Sequence, residues 1–307
     1  ITENIIKTIS PLVIYLIFNI YSYMLLTDLT NNKKIELKSG LYIVSTPIGN
    51  RYDITLRAIY ILTHSNVIVC EDTRVTKKLF NLLKIRISKK IWISYNDHNA
   101  STKIKKIIDI INKNKIVSLV SDAGTPLLSD PGYRMVQEAL KNKIKITPIP
   151  GPSAITTSLV ISGAKTDKFF FLGFIARKKN DYLKILKKYS DLNVPLIIFE
   201  KSSRIKFLIN VVFSWFEDAN LIITRELTKM HEEVIYVDIT NFEKYIKNDF
   251  NLKGELTVIL ELKSKLKKII FSNRALLKEL KKFKPSHVAS ILAKSSSESR
   301  EEIYKRC

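Results

Sequence analysis

The chain of 307 residues contains only 8 glycines, where an average usage of about 7% would give roughly 20. Most of them stand inside or beside turn motifs at the ends of apolar runs, which indicates that they meet geometric demands of the backbone. The sequence has no G-x-x-x-x-G-K-[ST] and no G-x-G-x-x-G segment. P-loop nucleotide hydrolysis and ordinary dinucleotide binding therefore lose their main sequence support.

Cysteine and histidine are also scarce. The two cysteines, Cys70 and Cys307, provide no disulfide framework, and the four histidines show no paired metal-ligand spacing. These absences predict a protein of the reducing cytoplasm that binds no metal.

Acidic residues are few compared with basic ones: 29 Asp and Glu stand against 51 Lys and Arg, a formal net charge of +22. The excess favours a polyanionic partner such as nucleic acid, although lysine enrichment in a biased genome would produce part of it. The hydrophobic fraction of 46% allows sizeable cores and gives no sign of disorder.

No apolar run reaches the usual membrane-spanning length of about 20 residues. The run "PLVIYLIFNIYSYMLL" at 11–26 is compatible with a marginal anchor, a signal-like segment or translated sequence upstream of the true start. Because no methionine begins the chain and a polar stretch follows the run, we interpret residues 1–39 as a dispensable extension. Met24 or a lost residue is then the start, and we expect no membrane contact.

Apolar runs alternate with stretches of helical spacing from Gly40 onwards, which predicts an N-terminal parallel α/β domain over residues 40–150. Its strands are "LYIVST", "NVIVCED", "IWISY", "IVSLVSD" and "KITPIP". Strands then come closer together, which predicts a C-terminal mixed α/β domain over 151–262. Its strands are "FFFLGF", "PLIIFE", "LIITREL", "EEVIYVD" and "ELTVILEL". Residues 263–307 form a basic helical tail, for which a solvated helix without a partner is the alternative.

The segment "SDAGTPLLSDPG" at 121–132 follows a predicted parallel strand, at the end where α/β proteins bind ligands. The alternative is an ordinary strand-to-helix connection whose aspartates, Asp122 and Asp130, cap the next helix. Three comparable turns follow other strands: "STPIGN", "CEDTR" and "PIPGPSA". We expect all four turns to cluster at the carboxyl edge of one sheet.

The motifs "TPIGN", "EDTR", "DHN", "SDAGTP", "SDPG", "PGPSA", "RELTK" and "KGEL" occur in this order. Together they resemble the small-subunit ribosomal RNA cytidine-2'-O-methyltransferase branch of the tetrapyrrole methylase superfamily, from Gly40 to about Leu262; the tail resembles that family more weakly. The resemblance implies two α/β domains of the class III methyltransferase type with a cofactor cleft between them. It also implies S-adenosylmethionine as methyl donor, a cytidine ribose in the decoding region of 16S rRNA as acceptor, and a homodimer.

Cofactor contacts are assigned by carrying the family's loops onto this sequence, and Asp122 is expected to accept hydrogen bonds from a hydroxyl or the amino group. The predicted cofactor-binding residues are Pro47, Gly49, Asp122, Ala123, Gly124, Thr125, Pro126, Gly151 and Ser153. For Pro47 and Gly49 a tight strand-to-helix turn is the alternative.

Transfer to a ribose hydroxyl needs alignment and removal of a weakly acidic proton, with no metal. The groups considered as proton acceptors are Glu71, Asp72, Asp97, His98, Glu226 and Lys229. We select Asp72, Arg74, Glu226 and Lys229 as catalytic candidates. The alternative for Arg74 is that it forms a structural ion pair with Glu71 or Asp72. The alternative for the "RELTK" residues is that they are only the exposed, charged end of a strand.

No signature of a common RNA-binding module is present, so RNA contacts are expected from basic residues. The predicted RNA-binding residues are Arg51, Lys77, Lys78, Lys178, Lys179 and Arg204. The family's "GFLP" is altered here, since Ala176 or Arg177 replaces its proline. A target cytidine buried in rRNA must be splayed from its neighbours to reach the cofactor, at a cost of about a few kcal/mol. We therefore expect a substrate larger than a nucleotide, namely an assembled small subunit. The rivals are a small-molecule tetrapyrrole methylase and a non-enzymatic RNA-binding relative.

Overall fold

The structure is a computed structural model, which describes residues 37–96, 98–175, 179–247, 252–262, 272–293 and 299–307. The predictions for the apolar run at 11–26, for Asp97, for Ala176 and Arg177, and for Lys178 lie outside these residues. None of the helices among these residues combines the length and the apolar character that a membrane span requires. The chain divides into two compact units, with the boundary between Pro152 and Ser153.

The first unit contains one parallel five-stranded sheet. Its strands are β1 (Gly40–Val44), β2 (Val67–Cys70), β3 (Ile91–Ser94), β4 (Ile116–Leu119) and β5 (Ile146–Ile149). They lie in the order β3-β2-β4-β1-β5, and every neighbouring pair is parallel. The nearly continuous apolar runs of these strands suit a sheet that is buried on both faces. The predicted parallel sheet is therefore confirmed.

Helices cover both faces of this sheet. They are a 3-10 helical turn (Arg51–Asp53), α1 (Leu56–His64), α2 (Thr73–Leu82), α3 (Ala100–Asn112) and α4 (Tyr133–Lys141). Ile107 of α3 and Met135 of α4 belong to one core cluster, whereas Ile61 of α1 and Phe80 of α2 belong to another. Because helices cover both faces of the sheet, a ligand can reach it only at the edge where the strands end.

The second unit contains a mixed sheet, as predicted. Its strands are β6 (Phe170–Phe174), β7 (Leu196–Lys201), β8 (Ala219–Arg225), β9 (Glu233–Val237) and β10 (Glu255–Leu262), in the order β6-β7-β10-β8-β9. The β6–β7 pair is parallel, and the other three pairs are antiparallel. Consecutive strands β8 and β9 form a hairpin, and β10 inserts between β7 and β8.

Each face of the second sheet has its own core. Helix α5 (Ala154–Ser162) places Ile155 and Leu159 against Ile197, Ile222 and Ile259. The other face packs against helices α6 (Lys179–Ser190), α7 (Ile205–Trp215) and α8 (Phe242–Ile246), and a 3-10 helical turn (Ser202–Arg204) precedes α7.

The described part of the tail contains three short helices: α9 (Asn273–Leu280), α10 (Pro285–Leu292) and α11 (Arg300–Arg306). Their own small core consists of Leu276, Val288, Ala289 and Ile303. Helix α10 begins with Pro285, whose fixed φ suits the first helical position, and a capping box between Ser299 and Glu302 begins α11. The tail thus has local signals for each helix and a core that joins them.

Candidate functional site

The turns after β1 and β4 are joined through their backbones. Thr46 N–H donates to the Gly124 carbonyl at 2.9 Å, and Gly124 N–H donates to the Thr46 carbonyl at 3.0 Å. Both backbone polar groups of Gly124 are therefore bonded to Thr46. The N–H groups of Ala123 and Thr125 donate to no acceptor in the described part of the chain.

The turn after β5 joins the same group of loops. Thr125 Oγ1 donates to the Pro152 carbonyl at 3.1 Å and lies 3.0 Å from Ser45 Oγ. A Cβ added at Gly151 would lie 2.9 Å from Ser45 Cβ, closer than real Cβ atoms approach. Glycine is therefore required at position 151 for this loop to pass Ser45.

Asp122 links the turn after β2 to the turn after β4, because its Oδ1 accepts a hydrogen bond from Asp72 N–H at 3.2 Å. All four turns thus meet at the carboxyl edge of one sheet, as the sequence predicted. The alternative that Asp122 and Asp130 cap the next helix is wrong, since Gly132 is the N-cap of α4 and no side chain caps it. Burial raises the pKa of Asp122, and the charge of Asp72 adds to that rise.

Asp130 is a second unusual carboxyl group at this edge, for which the sequence offered only a capping role. Burial raises the pKa of Asp130 to about 6, a hydrogen bond with Ser121 opposes the rise, and the charges of Glu71 and Asp122 increase it. The "SDPG" motif marks the position in the sequence. Its glycine and proline explain only a turn, however, so the unusual protonation of the aspartate was not evident from the motif.

Asp72 and Arg74 form the ion pair that the sequence left open as an alternative. Asp72 is the N-cap of α2, where its Oδ1 accepts from Arg74 N–H at 2.8 Å, and its Oδ2 lies 2.6 Å from Arg74 Nη2. The hydrogen bonds from the Arg74 side chain and backbone lower the pKa of Asp72 to about 2. Such a carboxylate is a weak proton acceptor. The Arg74 side chain is 89% exposed, so it remains accessible to an anion.

Glu226 and Lys229 form a separate cluster in the second unit, together with Glu255. Glu226 Oε1 accepts from Glu255 N–H at 2.8 Å and from Lys229 Nζ at 3.0 Å. Lys229 Nζ also donates to Glu255 Oε2 at 3.0 Å. The "RELTK" turn after β8 and the "KGEL" turn before β10 are therefore one structural feature.

Both catalytic candidates of this cluster are charged. The backbone N–H of Glu255 lowers the pKa of Glu226. Burial lowers the pKa of Lys229, but hydrogen bonds to Glu226 and Glu255 outweigh burial and raise it above the usual value. A lysine must be neutral to accept a proton, so this environment favours an electrostatic role for Lys229 over that of a general base.

Backbone strain accompanies this cluster. Glu226 has φ of 50° and Thr228 has φ of 63°, in the left-handed region that residues with side chains rarely adopt. Gly254 has φ of +108°, and a Cβ there would lie 2.6 Å from Glu226 Oε1. The Glu226 carboxyl group thus fits against the hydrogen of Gly254, which only glycine allows.

The predicted RNA-binding residues have different environments. Arg51 Nη2 donates to Tyr52 Oη at 2.9 Å, Lys77 Nζ lies 5.3 Å from the centre of the Trp92 ring, and Lys78 is exposed. Arg204 Nε lies 3.5 Å from Oε1 of the buried Glu200, and Arg204 therefore balances an internal charge.

The remaining predicted positions are divided between the two units. Pro47 is half-buried and Gly49 is exposed in the turn after β1, whereas Pro126 is buried. Ser153 is the N-cap of α5 but makes no side-chain cap hydrogen bond, and Lys179 begins α6.

Comparison with known proteins extends these observations. Residues 40–243 match the family model of the tetrapyrrole (corrin/porphyrin) methylases. Ribosomal RNA small subunit methyltransferase I of Rickettsia prowazekii is 42% identical over 224 residues, which cover 73% of this chain and 79% of the relative. The protein of the same name from Mesorhizobium japonicum is 36% identical over 272 residues, or 88% of this chain and 92% of the relative.

Solved structures support the fold alone. Cobalt precorrin-4 methyltransferase aligns with a TM-score of 0.52 at 14% identity, covering 71% of this chain and 93% of that chain. Uroporphyrin-III C-methyltransferase of Thermus thermophilus, complexed with S-adenosylhomocysteine, aligns with a TM-score of 0.50 at 12% identity, covering 72% and 96%. The family model and the sequence relatives confirm the resemblance seen in the motifs: the chain belongs to the tetrapyrrole methylase family, in the group of the ribosomal RNA small subunit methyltransferases I.

Proposed function

We propose that this protein transfers a methyl group from S-adenosylmethionine to the ribose 2'-oxygen of a cytidine in the decoding region of small-subunit ribosomal RNA. The observation that carries the proposal is the 42% identity to a relative named as a small-subunit rRNA methyltransferase, over 79% of that relative's length. The net charge of +22 supports an RNA substrate. An enzyme that acts only on acidic or neutral small molecules would not need so large a positive charge.

The turns of the first unit have groups that suit this cofactor. The N–H groups of Ala123 and Thr125 have no acceptor among the described residues, and Glu71, Asp122 and Asp130 concentrate negative charge at the same edge. S-adenosylmethionine carries a sulfonium and an ammonium, so its binding would compensate that charge while its polar groups engage the backbone. When bound, it supplies a methyl group activated by a positively charged sulfur. A family member whose structure contains S-adenosylhomocysteine supports the same donor.

Four functional residues receive roles that follow from their contacts. Asp122 binds the cofactor's hydroxyl or amino group. Arg74, held by Asp72, presents its exposed guanidinium to an RNA phosphate, and Asp72 positions it. Lys229 offers a fixed positive charge.

Asp130 is added as the proton acceptor for the ribose hydroxyl. The pKa of Asp130 is raised to about 6, whereas the pKa of Asp72 is lowered to about 2. General-base catalysis is most effective when the pKa of the base lies close to the operating pH.

The assembled small subunit is the proposed substrate, with the enzyme acting as a cytoplasmic homodimer. Arg51, Lys77 and Lys78 are the phosphate contacts we favour in the first unit. The role of Arg204 at the RNA is weakened by its pairing with Glu200.

The proposed function is tested by incubating the protein with labelled S-adenosylmethionine and small subunits that lack the modification, then mapping 2'-O-methylation along the RNA. We expect label on one cytidine of the decoding region. Label on a base, or on another residue, would reject the 2'-O assignment. Transfer to a free tetrapyrrole with none to the subunit would establish the small-molecule alternative, and failure to bind the cofactor would leave a non-enzymatic RNA-binding relative.

A further inference from the structure

A pocket in the helical tail is the feature that the proposed function leaves unexplained. It has a volume of about 220 Å³ and lies between α9 and α10, lined by Ala275, Lys278, Glu279, Phe283, Val288, Ile291 and Leu292. The match to the family model ends at residue 243, so that model assigns no role to this part of the chain.

The pocket borders the small core of the tail, because Val288 belongs to both, but other lining residues face solvent. Leu276 and Ile303 are fully or almost fully buried in the small core, whereas Phe283 is 45% and Ile291 is 43% exposed. These two side chains give the pocket an apolar lining that solvent reaches. A concave apolar surface with a few polar groups at its margin is typical of a ligand site.

The turn between α9 and α10 fixes the backbone at Phe283. Phe283 N–H donates to the Glu279 carbonyl at 3.0 Å, and the neighbouring Lys282 N–H donates to the same carbonyl at 2.9 Å. The Phe283 ring lies 5.2 Å from the His287 ring, between centroids. Because an aromatic side chain has few rotatable bonds, Phe283 loses little conformational entropy when another flat group stacks on its ring.

Three lysines stand next to Phe283 in the sequence. Lys282 and Lys284 flank Phe283 in the sequence, Lys281 precedes them, and all three are exposed. Lys278 lines the pocket itself, and Glu279 is the one carboxylate among its described lining residues. A ligand that suits this arrangement has a flat face that stacks on Phe283 and an anionic backbone that the lysines bind. It also has N–H groups that can donate hydrogen bonds to Glu279.

We propose that the α9–α10 pocket binds an unpaired nucleotide of the RNA substrate, with the base stacked on Phe283 and the adjoining phosphates held by Lys281, Lys282 and Lys284. Single-stranded RNA is commonly bound by aromatic stacking within a basic surface. This inference rests on the proposed function, because it assigns a second contact to the same RNA.

The test measures binding of the whole protein to a labelled single-stranded RNA of about 12 nucleotides, a length in the range that such sites cover. Fluorescence anisotropy is recorded for the wild type, Phe283→Ala, Phe283→Leu and Phe283→Tyr. Loss of one stacked base weakens binding by about tenfold, so we expect that loss for Phe283→Ala and Phe283→Leu, with Phe283→Tyr close to wild type. The KM for small subunits should rise in the same order, while the affinity for S-adenosylmethionine stays the same.

Leu277→Ala is the matched control, because Leu277 is a 61% exposed apolar residue of α9 that does not line the pocket. Equal RNA affinity of Phe283→Ala and Leu277→Ala would overturn the inference, and so would full affinity of Phe283→Leu, which keeps an apolar contact without a ring. Phe283-dependent binding to phosphatidylserine vesicles, without an effect on RNA, would replace the nucleotide by a lipid surface. A wild type that binds the RNA through Phe283 but methylates no subunit would reject the proposed function and leave this inference standing.

Discussion

Asp122 is the residue that we propose binds the cofactor's hydroxyl or amino group. Its Oδ1 accepts from Asp72 N–H, its pKa is raised mainly by burial, and it caps no helix. Asp122→Asn keeps an oxygen for the Asp72 N–H but removes the charge. A hydrogen bond to a charged group contributes about 1.5–3 kcal/mol, so we expect S-adenosylmethionine to bind at least tenfold more weakly, measured by calorimetry.

Arg74→Ala is the control for that measurement, because it removes the exposed partner of Asp72 without touching Asp122. This variant should keep its cofactor affinity and show a raised KM for small subunits. Weak cofactor binding by Arg74→Ala, with normal binding by Asp122→Asn, would reverse the division of roles.

Asp130 gives a prediction in which stability and activity change in opposite directions. The folded state raises the pKa of Asp130 to about 6, whereas an unfolded aspartate titrates near about 3.9. The contribution of this group is therefore complete below about pH 4 and is lost as the pH rises through about 6. Asp130→Asn should raise the free energy of unfolding at about pH 7.5, by about 1 kcal/mol after allowance for partial exposure, and should slow methyl transfer.

Thermal unfolding at two pH values measures the stability part. The midpoint of Asp130→Asn should exceed that of the wild type by about 2–4 °C at about pH 7.5, and the difference should shrink at about pH 4. A lower midpoint at both values would mean that Asp130 stabilises the fold through its contacts. Unchanged turnover would remove it as the proton acceptor.

At the scale of structural elements, the contact between Glu226 and Gly254 holds the turn after β8 against the turn before β10. Gly254→Ala would place a Cβ 2.6 Å from Glu226 Oε1 on a backbone with φ of +108°. The Glu226 carboxyl group must then move, which separates it from Lys229 and the Glu255 N–H. We expect a loss of about 1–3 kcal/mol in the free energy of unfolding, measured with denaturant, and reduced methyl transfer.

Gly163→Ala is the control for Gly254→Ala, because it adds backbone strain without a steric clash. Gly163 follows α5 with φ of +74°, and a Cβ there would meet no atom within 4 Å. This control should lose stability but retain turnover. Similar turnover in the two variants would show that the position of Glu226 is unimportant for the reaction.

The elements that could be predicted from the sequence share a physical property: their signal is local. Strands such as β2 and β4 are short apolar runs followed by turn residues, so their positions and the meeting of the four turns followed from the pattern.

The features that escaped prediction depend on contacts between distant residues. The raised pKa of Asp130 arises from burial and from Glu71, and the fit of Glu226 against Gly254 depends on two turns that meet only in the folded chain. The hydrogen bonds between Gly124 and Thr46 likewise occupy backbone N–H and carbonyl groups whose partners could not be predicted from the sequence. Turn motifs predict where a backbone bends, but they do not indicate which of its hydrogen-bonding groups are already occupied.

At the scale of the whole molecule, the net charge of +22 predicts that RNA binding and cofactor binding respond differently to salt. A protein that neutralises six to ten phosphates loses about 10³–10⁵ in affinity between about 50 and 200 mM salt, because released counterions must be bound again. Filter binding to small subunits across this range should show such a loss. Calorimetry with S-adenosylmethionine should change by less than about twofold, since one small ligand releases few ions. A shallow salt dependence for the subunit would mean that lysine enrichment, and not RNA recognition, accounts for the charge of the chain.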